Sequence, residues 1–192
     1  MASKLPTPLP QSAALILIDL QKAIDHPSWG ERNNPDAERN IADLLEAWRA
    51  SGRPIYHIRH DSTEPASYYR PGQPGNEFKP ECQPLDGETV IPKQTNSALI
   101  HTDLEYKLRM AHQNVLVVVG VITNNSVEAT VRMAGNLGFD AFLVEDGCFT
   151  FAKNDWNGQR RTAAEVHAMS LANLDGEYCT VTKTAEVLRA CA

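Results

Sequence analysis

The sequence of 192 residues predicts an α/β fold, a three-layer arrangement in which a six-stranded, mostly parallel sheet is flanked by helices. Three observations carry this. Val115 to Val119 is an unbroken β-branched and aliphatic run, as expected of a strand covered on both faces. Ala13 to Leu20 is a second such run, interrupted only by Asp19 near its carboxyl end. Strand-like and helix-like segments then alternate along the chain, the pattern of strand–helix–strand units.

One domain is expected over residues 1–192, with 1–12, containing Pro6, Pro8 and Pro10, as an extended lead-in. After the Ala13–Leu20 strand, Gln21 to Asn33 is irregular. Asn34-Pro35-Asp36 has the form of a helix start, a capping residue followed by Pro and an acid, and Ile41, Leu44, Leu45 and Trp48 make the buried stripe that ends before Gly52. Pro54 to Ile58 is the next strand, with Arg59-His60-Asp61 at its carboxyl end. Ser62 to Gly87 is long and rich in Pro, Gly and polar residues, and is expected to form part of a substrate pocket. Val90 to Pro92 is a short strand delivering Lys93 and Gln94, and Thr102 with Glu105 reads as the capping box of a helix to Ala111. Asn125 with Glu128 reads as a variant capping box for a helix carrying Val127, Val131, Ala134 and Leu137, which leaves Ser126 in its first turn. Phe139 to Val144 is a strand, Phe149 to Gly158 a loop, Thr162 and Glu165 a third capping box, Tyr178 to Val181 the last strand, and Thr184 to Arg189 a closing helix.

With 24 acidic against 18 basic residues and no basic cluster, nucleic acid and anionic membrane surfaces are not expected partners. A small molecule is the expected one. No apolar window reaches the ~20 residues of a membrane span, the start lacks an apolar signal segment, and a cytoplasmic location is expected. Cys82, Cys148, Cys179 and Cys191 show no metal-ligand spacing and read as reduced thiols.

Strand ends in such a sheet line the ligand crevice, and a helix N-terminus there presents free amides and positive potential. Asp19, Lys93 and Ser126 all fall at strand ends. IDLQ at Ile18–Gln21, PKQTNSALIHTDL at Pro92–Leu104 and GVITNNSVEAT at Gly120–Thr130 together resemble the three signatures of the isochorismatase-like cysteine hydrolases, with similarity running from about Ala13 to Leu188. The resemblance implies a Rossmann-type six-stranded parallel sheet, a catalytic Asp at Asp19 and a catalytic Lys at Lys93. It places Ser126 where that family's nucleophilic Cys stands. It also implies a cis peptide at Val121-Ile122, an oxyanion hole formed by the amides of Ile122 and Ser126, and a homodimer or homotetramer. Nicotinamidases of that family carry a metal-binding Asp-x-His with a further His, which Arg59-His60-Asp61 does not match. His60 is read instead as a hydrogen-bonding strand-end residue, no metal is predicted, and without a glycine-rich phosphate loop no nucleotide cofactor is predicted.

In a cysteine member, a thiolate favoured by the Lys and the helix N-terminus attacks an amide carbonyl while the Asp handles the proton. A serine must instead surrender its proton during attack. Asp19, its pKa expected to fall beside Lys93, or a desolvated Lys93 is the base to consider. Three readings stay open: a hydrolase of small carbon–nitrogen compounds with Ser126 as native nucleophile or as a substitute for Cys, an isochorismatase-type vinyl ether hydrolase with Asp19 as general acid, and a ligand binder without catalysis. Candidate substrate-binding residues are Trp29, Tyr68, Tyr69, Gln94, Asn125 and Trp156, each an equally good candidate for loop packing or subunit contact where aromatic.

Overall fold

A computed structural model describes residues 4–191, so Met1 to Ser3 of the expected lead-in and Ala192 lie outside the described residues. β1 (Ala14–Ile18), β2 (Ile55–His60), β3 (Thr89–Lys93), β4 (Val115–Val121), β5 (Asp140–Phe149) and β8 (Thr180–Thr182) form one sheet in the order β3-β2-β1-β4-β5-β8. Every neighbouring pair is parallel. The chain therefore reverses its direction of growth between β1 and β4, and a crevice opens beyond their carboxyl ends.

The central strands bury both faces, as their continuous apolar runs require. Leu15 and Leu17 point into a core shared with Ile41, Leu44, Leu45 and Trp48 of α1 (Ala37–Ser51) and Val187 of α5 (Thr184–Cys191). Ala14, Ile16 and Ile18 alternate into the opposite core with α2 (Leu104–Met110), α3 (Glu128–Asn136) and α4 (Ala163–Leu174). Three layers follow. Gly120 is demanded by the closeness of β4 to β1: its φ is +126°, and a Cβ there would sit 2.2 Å from the Ile18 carbonyl oxygen.

Several helix starts differ from expectation. Asn34 is left-handed (φ 46) and its amide donates to the carbonyls of Glu145 and Cys148, so α1 begins only after Asp36. That side chain fastens the loop to β5 and is no longer free to cap. The Thr102 hydroxyl accepts from the Leu104 amide while Glu105 pairs with Arg109, so the expected box is replaced by a shorter turn. Asn125 caps nothing: Thr123–Val127 is a π-helical turn without a side-chain cap, and Glu128 instead holds Arg132 and Ser170. Thr162 and Glu165 do form both halves of their capping box.

β5 is longer than the expected Phe139–Val144 because it resumes after a register break and pairs Gly120 with Cys148. The last strand lies at Thr180–Thr182, two residues later at its start than the apolar run suggests. Of the expected loop Phe149 to Gly158, Phe149 belongs to β5, and the rest forms the first strand and turn of a small antiparallel hairpin, β6 (Lys153–Asn154) with β7 (Arg160–Arg161), that ends beyond it. The four cysteines are free thiols. Among the described residues, no helix is long and apolar enough to cross a membrane.

Candidate active site

Four parallel strands end at one cavity of about 420 Å3. Directly after β1, Asp19 takes a left-handed conformation (φ 53), uncommon for a side-chain-bearing residue and of the kind concentrated at functional sites. Its amide still continues the ladder to the Ile58 carbonyl, so the carboxylate is fixed to the sheet. β3 ends at Lys93, whose register partner is His60 at the end of β2. β4 ends in the cis Val121-Ile122 peptide and the π-helical turn that carries Ser126. The Ser126 carbonyl accepts from Thr130 Oγ1, which in turn accepts from the Ala98 amide, so the turn is tied to the segment following β3.

Lys93 Nζ donates to Asp19 Oδ2 (2.7 Å), to the Thr95 carbonyl (3.0 Å) and to Ser126 Oγ (3.4 Å). An ammonium has three protons, and here three acceptors surround it. Asp19 Oδ1 is buried with no hydrogen-bond partner. Burial pushes the Asp19 carboxyl pKa above its ordinary value, against the opposing pull of Lys93 and Ser126. The expectation that Lys93 alone would depress it fails because desolvation of a wholly enclosed carboxylate is the larger effect.

The lining also includes Trp29, Tyr68, Tyr69, Asn125 and Ile122, so the amides proposed for an oxyanion hole belong to residues of the cavity wall. Trp29 is held by its indole N–H on the Ala23 carbonyl (3.0 Å) and stacks on Phe151. Tyr68 stacks on His26, and Tyr69, nearly buried, places its hydroxyl 3.4 Å from the Asp19 carbonyl. Gln94 is not in the lining. It lies just past the end of β3 and is exposed, and Asn96, in the same bend, stands at the wall instead. Trp156 is also outside: it is 100% exposed in the turn of the β6–β7 hairpin.

Sequence reasoning overlooked Ile24, Ser28, Ser67, Asn96 and the part played by His60. His60 does hydrogen-bond at its backbone, where Gln21 Oε1 accepts from its N–H (2.7 Å) and Gln21 Nε2 donates to its carbonyl (3.0 Å). Its ring Nδ1, however, is buried without a partner, and its ring meets Tyr69 edge to face. Its position at a strand end beside Lys93 was the available signal. Among the described residues, no group of three or more His, Cys, Asp or Glu side chains is arranged to hold a metal ion.

The doubly covered parallel sheet is a three-layer α/β fold, with an enclosed Asp–Lys pair beside a hydroxyl at the crevice beyond its central strands. The chain belongs to the isochorismatase family of hydrolases: the isochorismatase domain model matches residues 13–186. Its fold is that of an isochorismatase-family protein from Chromobacterium violaceum ATCC 12472, known from a crystal structure, with a TM-score of 0.94, 64% identity, and coverage of 97% of this chain and 98% of that one. The isochorismatase family protein YrdC of Bacillus subtilis (strain 168) is 40% identical over 178 residues, 93% of this chain and 95% of its own. Nicotinamidase 3 of Arabidopsis thaliana is 26% identical over 175 residues, 84% of this chain and 80% of its own.

Proposed function

We propose that the protein hydrolyses the carbon–nitrogen bond of a small amide or ureido compound, with Ser126 as nucleophile, Asp19 as proton carrier and Lys93 as electrostatic support. The observation that carries this is the division of hydrogen bonds around Lys93. Its three protons are directed at Asp19, Thr95 and Ser126, so the ammonium is no base. Asp19 Oδ1 is the basic atom left without a donor, and its raised pKa makes it a stronger base than an ordinary carboxylate.

The steps follow from that arrangement. Ser126 gives its proton to Asp19 as its oxygen attacks the carbonyl carbon, while Lys93 and the positive end of the following helix stabilise charge on the oxygen. The carbonyl oxygen turns toward the amides of Ile122 and Ser126. Asp19 returns the proton to the departing nitrogen, the amine leaves, and water, deprotonated by Asp19, releases the acid and restores Ser126. An amide substrate agrees with the name of the nicotinamidase relative.

The same upward shift of Asp19 favours a second reading, in which a protonated carboxyl donates to carbon and a vinyl ether is cleaved without a nucleophile. Ammonia release from a panel of small amides separates the two. The native protein is expected to release ammonia, Ser126→Ala to lose at least ~10³-fold of that rate, and Ser126→Cys to retain turnover. Pyruvate release from isochorismate that survives Ser126→Ala and vanishes in Asp19→Asn would establish the second reading. Saturable binding without either product would leave only a binder.

A further inference from the structure

The cavity wall carries almost no charge. Among the described residues that line it, Asp19 is the one side chain with a formal charge at neutral pH. Its counter-ion Lys93 stands behind it with 0% of its side chain exposed, directed at acceptors of the protein itself. Burial holds His60 below its ordinary pKa, toward the neutral ring. The other polar groups on the wall are hydroxyls and carboxamides, among them Ser28, Ser67, Asn96 and Asn125.

Three basic side chains outside the lining are paired with carboxylates. Arg59 is chelated by Asp61 through two bonds of 2.9 Å, Arg32 by Glu38 through two of 2.7 Å, and Lys79 is shared between Glu38 and Asp25. Planar aromatic side chains on the wall are held in place: Trp29 is tied at its indole N–H and Tyr69 is packed against His60.

We infer that the site takes an uncharged, flat amide and discriminates against substrates bearing a carboxylate or phosphate away from the reacting group. The inference rests on the amide-hydrolase reading for the identity of the reacting group. Its physical basis is independent of the chemical step: an anion entering this cavity loses water and meets neutral dipoles and a carboxylate, whereas a neutral amide or ring heteroatom finds hydroxyl and carboxamide partners.

Terephthalamide and 4-carbamoylbenzoate test this, since they share the reacting amide and differ only in charge at the far end of the ring. Ammonia release by the native protein is expected to favour the neutral compound by at least tenfold in kcat/KM at pH 7.5. Calorimetric binding of both to Ser126→Ala gives the readout that does not require turnover. Tighter binding of the neutral compound without ammonia release in the native form would support the charge selection and remove the hydrolase reading. Ammonia release with equal or better use of the anion would overturn the selection and keep that reading. No measurable binding of the neutral compound at millimolar concentration overturns the selection as well. Ser67→Lys, which brings a cation to the wall, is expected to shift the preference toward the anion by tenfold or more, and no shift counts against the inference.

Discussion

Lys93 Nζ and Asp19 Oδ2 lie 2.7 Å apart with 0% and 6% of their side chains exposed, an ion pair withdrawn from water at the floor of the cavity. Such pairs contribute less than their Coulomb energy suggests, because both ions were desolvated to form them. Removing one partner is far worse than removing both. Lys93→Met is therefore expected to destabilise the fold by about 3–5 kcal/mol, and Asp19→Asn/Lys93→Met to recover much of that loss while remaining inactive. Urea denaturation of the three forms measures the recovery. A double variant no more stable than Lys93→Met would show that the pair is not what the single change disrupts.

The pH dependence of activity and of stability should have different origins. If Asp19 must be ionised to accept the Ser126 proton, kcat/KM falls as pH drops through a value above the ordinary 3.8 of an aspartate. For stability the sign is opposite in two groups. Glu38 and Glu88 are pulled down to about 2 from 4.5, by Arg32 and Lys79 and by Arg49 and His57 respectively, despite some cost of burial. The unfolded chain then binds more protons than the folded one between those values, so their contribution is present above 4.5 and is lost as pH falls toward 2. Asp19, raised, contributes stability at low pH that is lost as pH rises through its folded pKa. Glu38→Gln and Glu88→Gln should each flatten the acid limb of a stability–pH curve, and Asp19→Asn should not.

What the sequence made legible follows from which interactions are local. Continuous apolar runs such as Val115–Val119 require cover on both faces, and that constraint survives without any knowledge of partners. Thr162 and Glu165 close a capping box within one turn, so it could be read from four residues. Asn34 could not, because its amide is satisfied by carbonyls 111 and 114 residues away. At the site, Asp19, Lys93 and Ser126 stood out by type and position in their motifs. His60 belongs to the same cavity through strand register, fixed only when the sheet is assembled, and Asn96 through the irregular bend after β3, which no local pattern announces.

The aromatic wall should be adjustable without touching a residue that lines it. A Cβ on Gly75 would lie 2.3 Å from the Tyr68 carbonyl oxygen and 3.4 Å from the Ala23 Cβ. Backbone atoms cannot evade such a clash by changing rotamer, so Gly75→Ala must displace the segment that carries Tyr68 and Tyr69. Because the Asp19–Lys93–Ser126 group is held by strands and not by this loop, the expected result is a rise in KM of several-fold with a smaller change in kcat. A drop in kcat alone would show that the loop influences the reacting groups directly.

Asn76 provides the sharper test of how the cavity is held in shape. Its single Nδ2 reaches the His60 carbonyl (3.0 Å), the Asp61 carboxylate (3.0 Å) and the Tyr69 carbonyl (2.8 Å), joining the end of β2 to the aromatic wall. Gln21, fully buried, completes the clamp by donating to the carbonyls of His60 and Asn76. Asn76→Leu keeps the approximate volume but removes one donor from each acceptor, which then keeps only its other one, Gln21 for His60, Arg59 for Asp61 and the Ser62 amide for Tyr69, at about 0.5–1.5 kcal/mol for each bond lost. Asn76→Asp retains the shape yet replaces the donor with an anion facing a carboxylate and two carbonyls. It should therefore impair substrate binding at least as much as Asn76→Leu, and more at pH 8 than at pH 5, because protonation restores a donor. KM measured for both variants across that range checks the sign. A pH-independent defect in Asn76→Asp would mean that space, not the hydrogen-bonded clamp, sets the position of His60 and Tyr69.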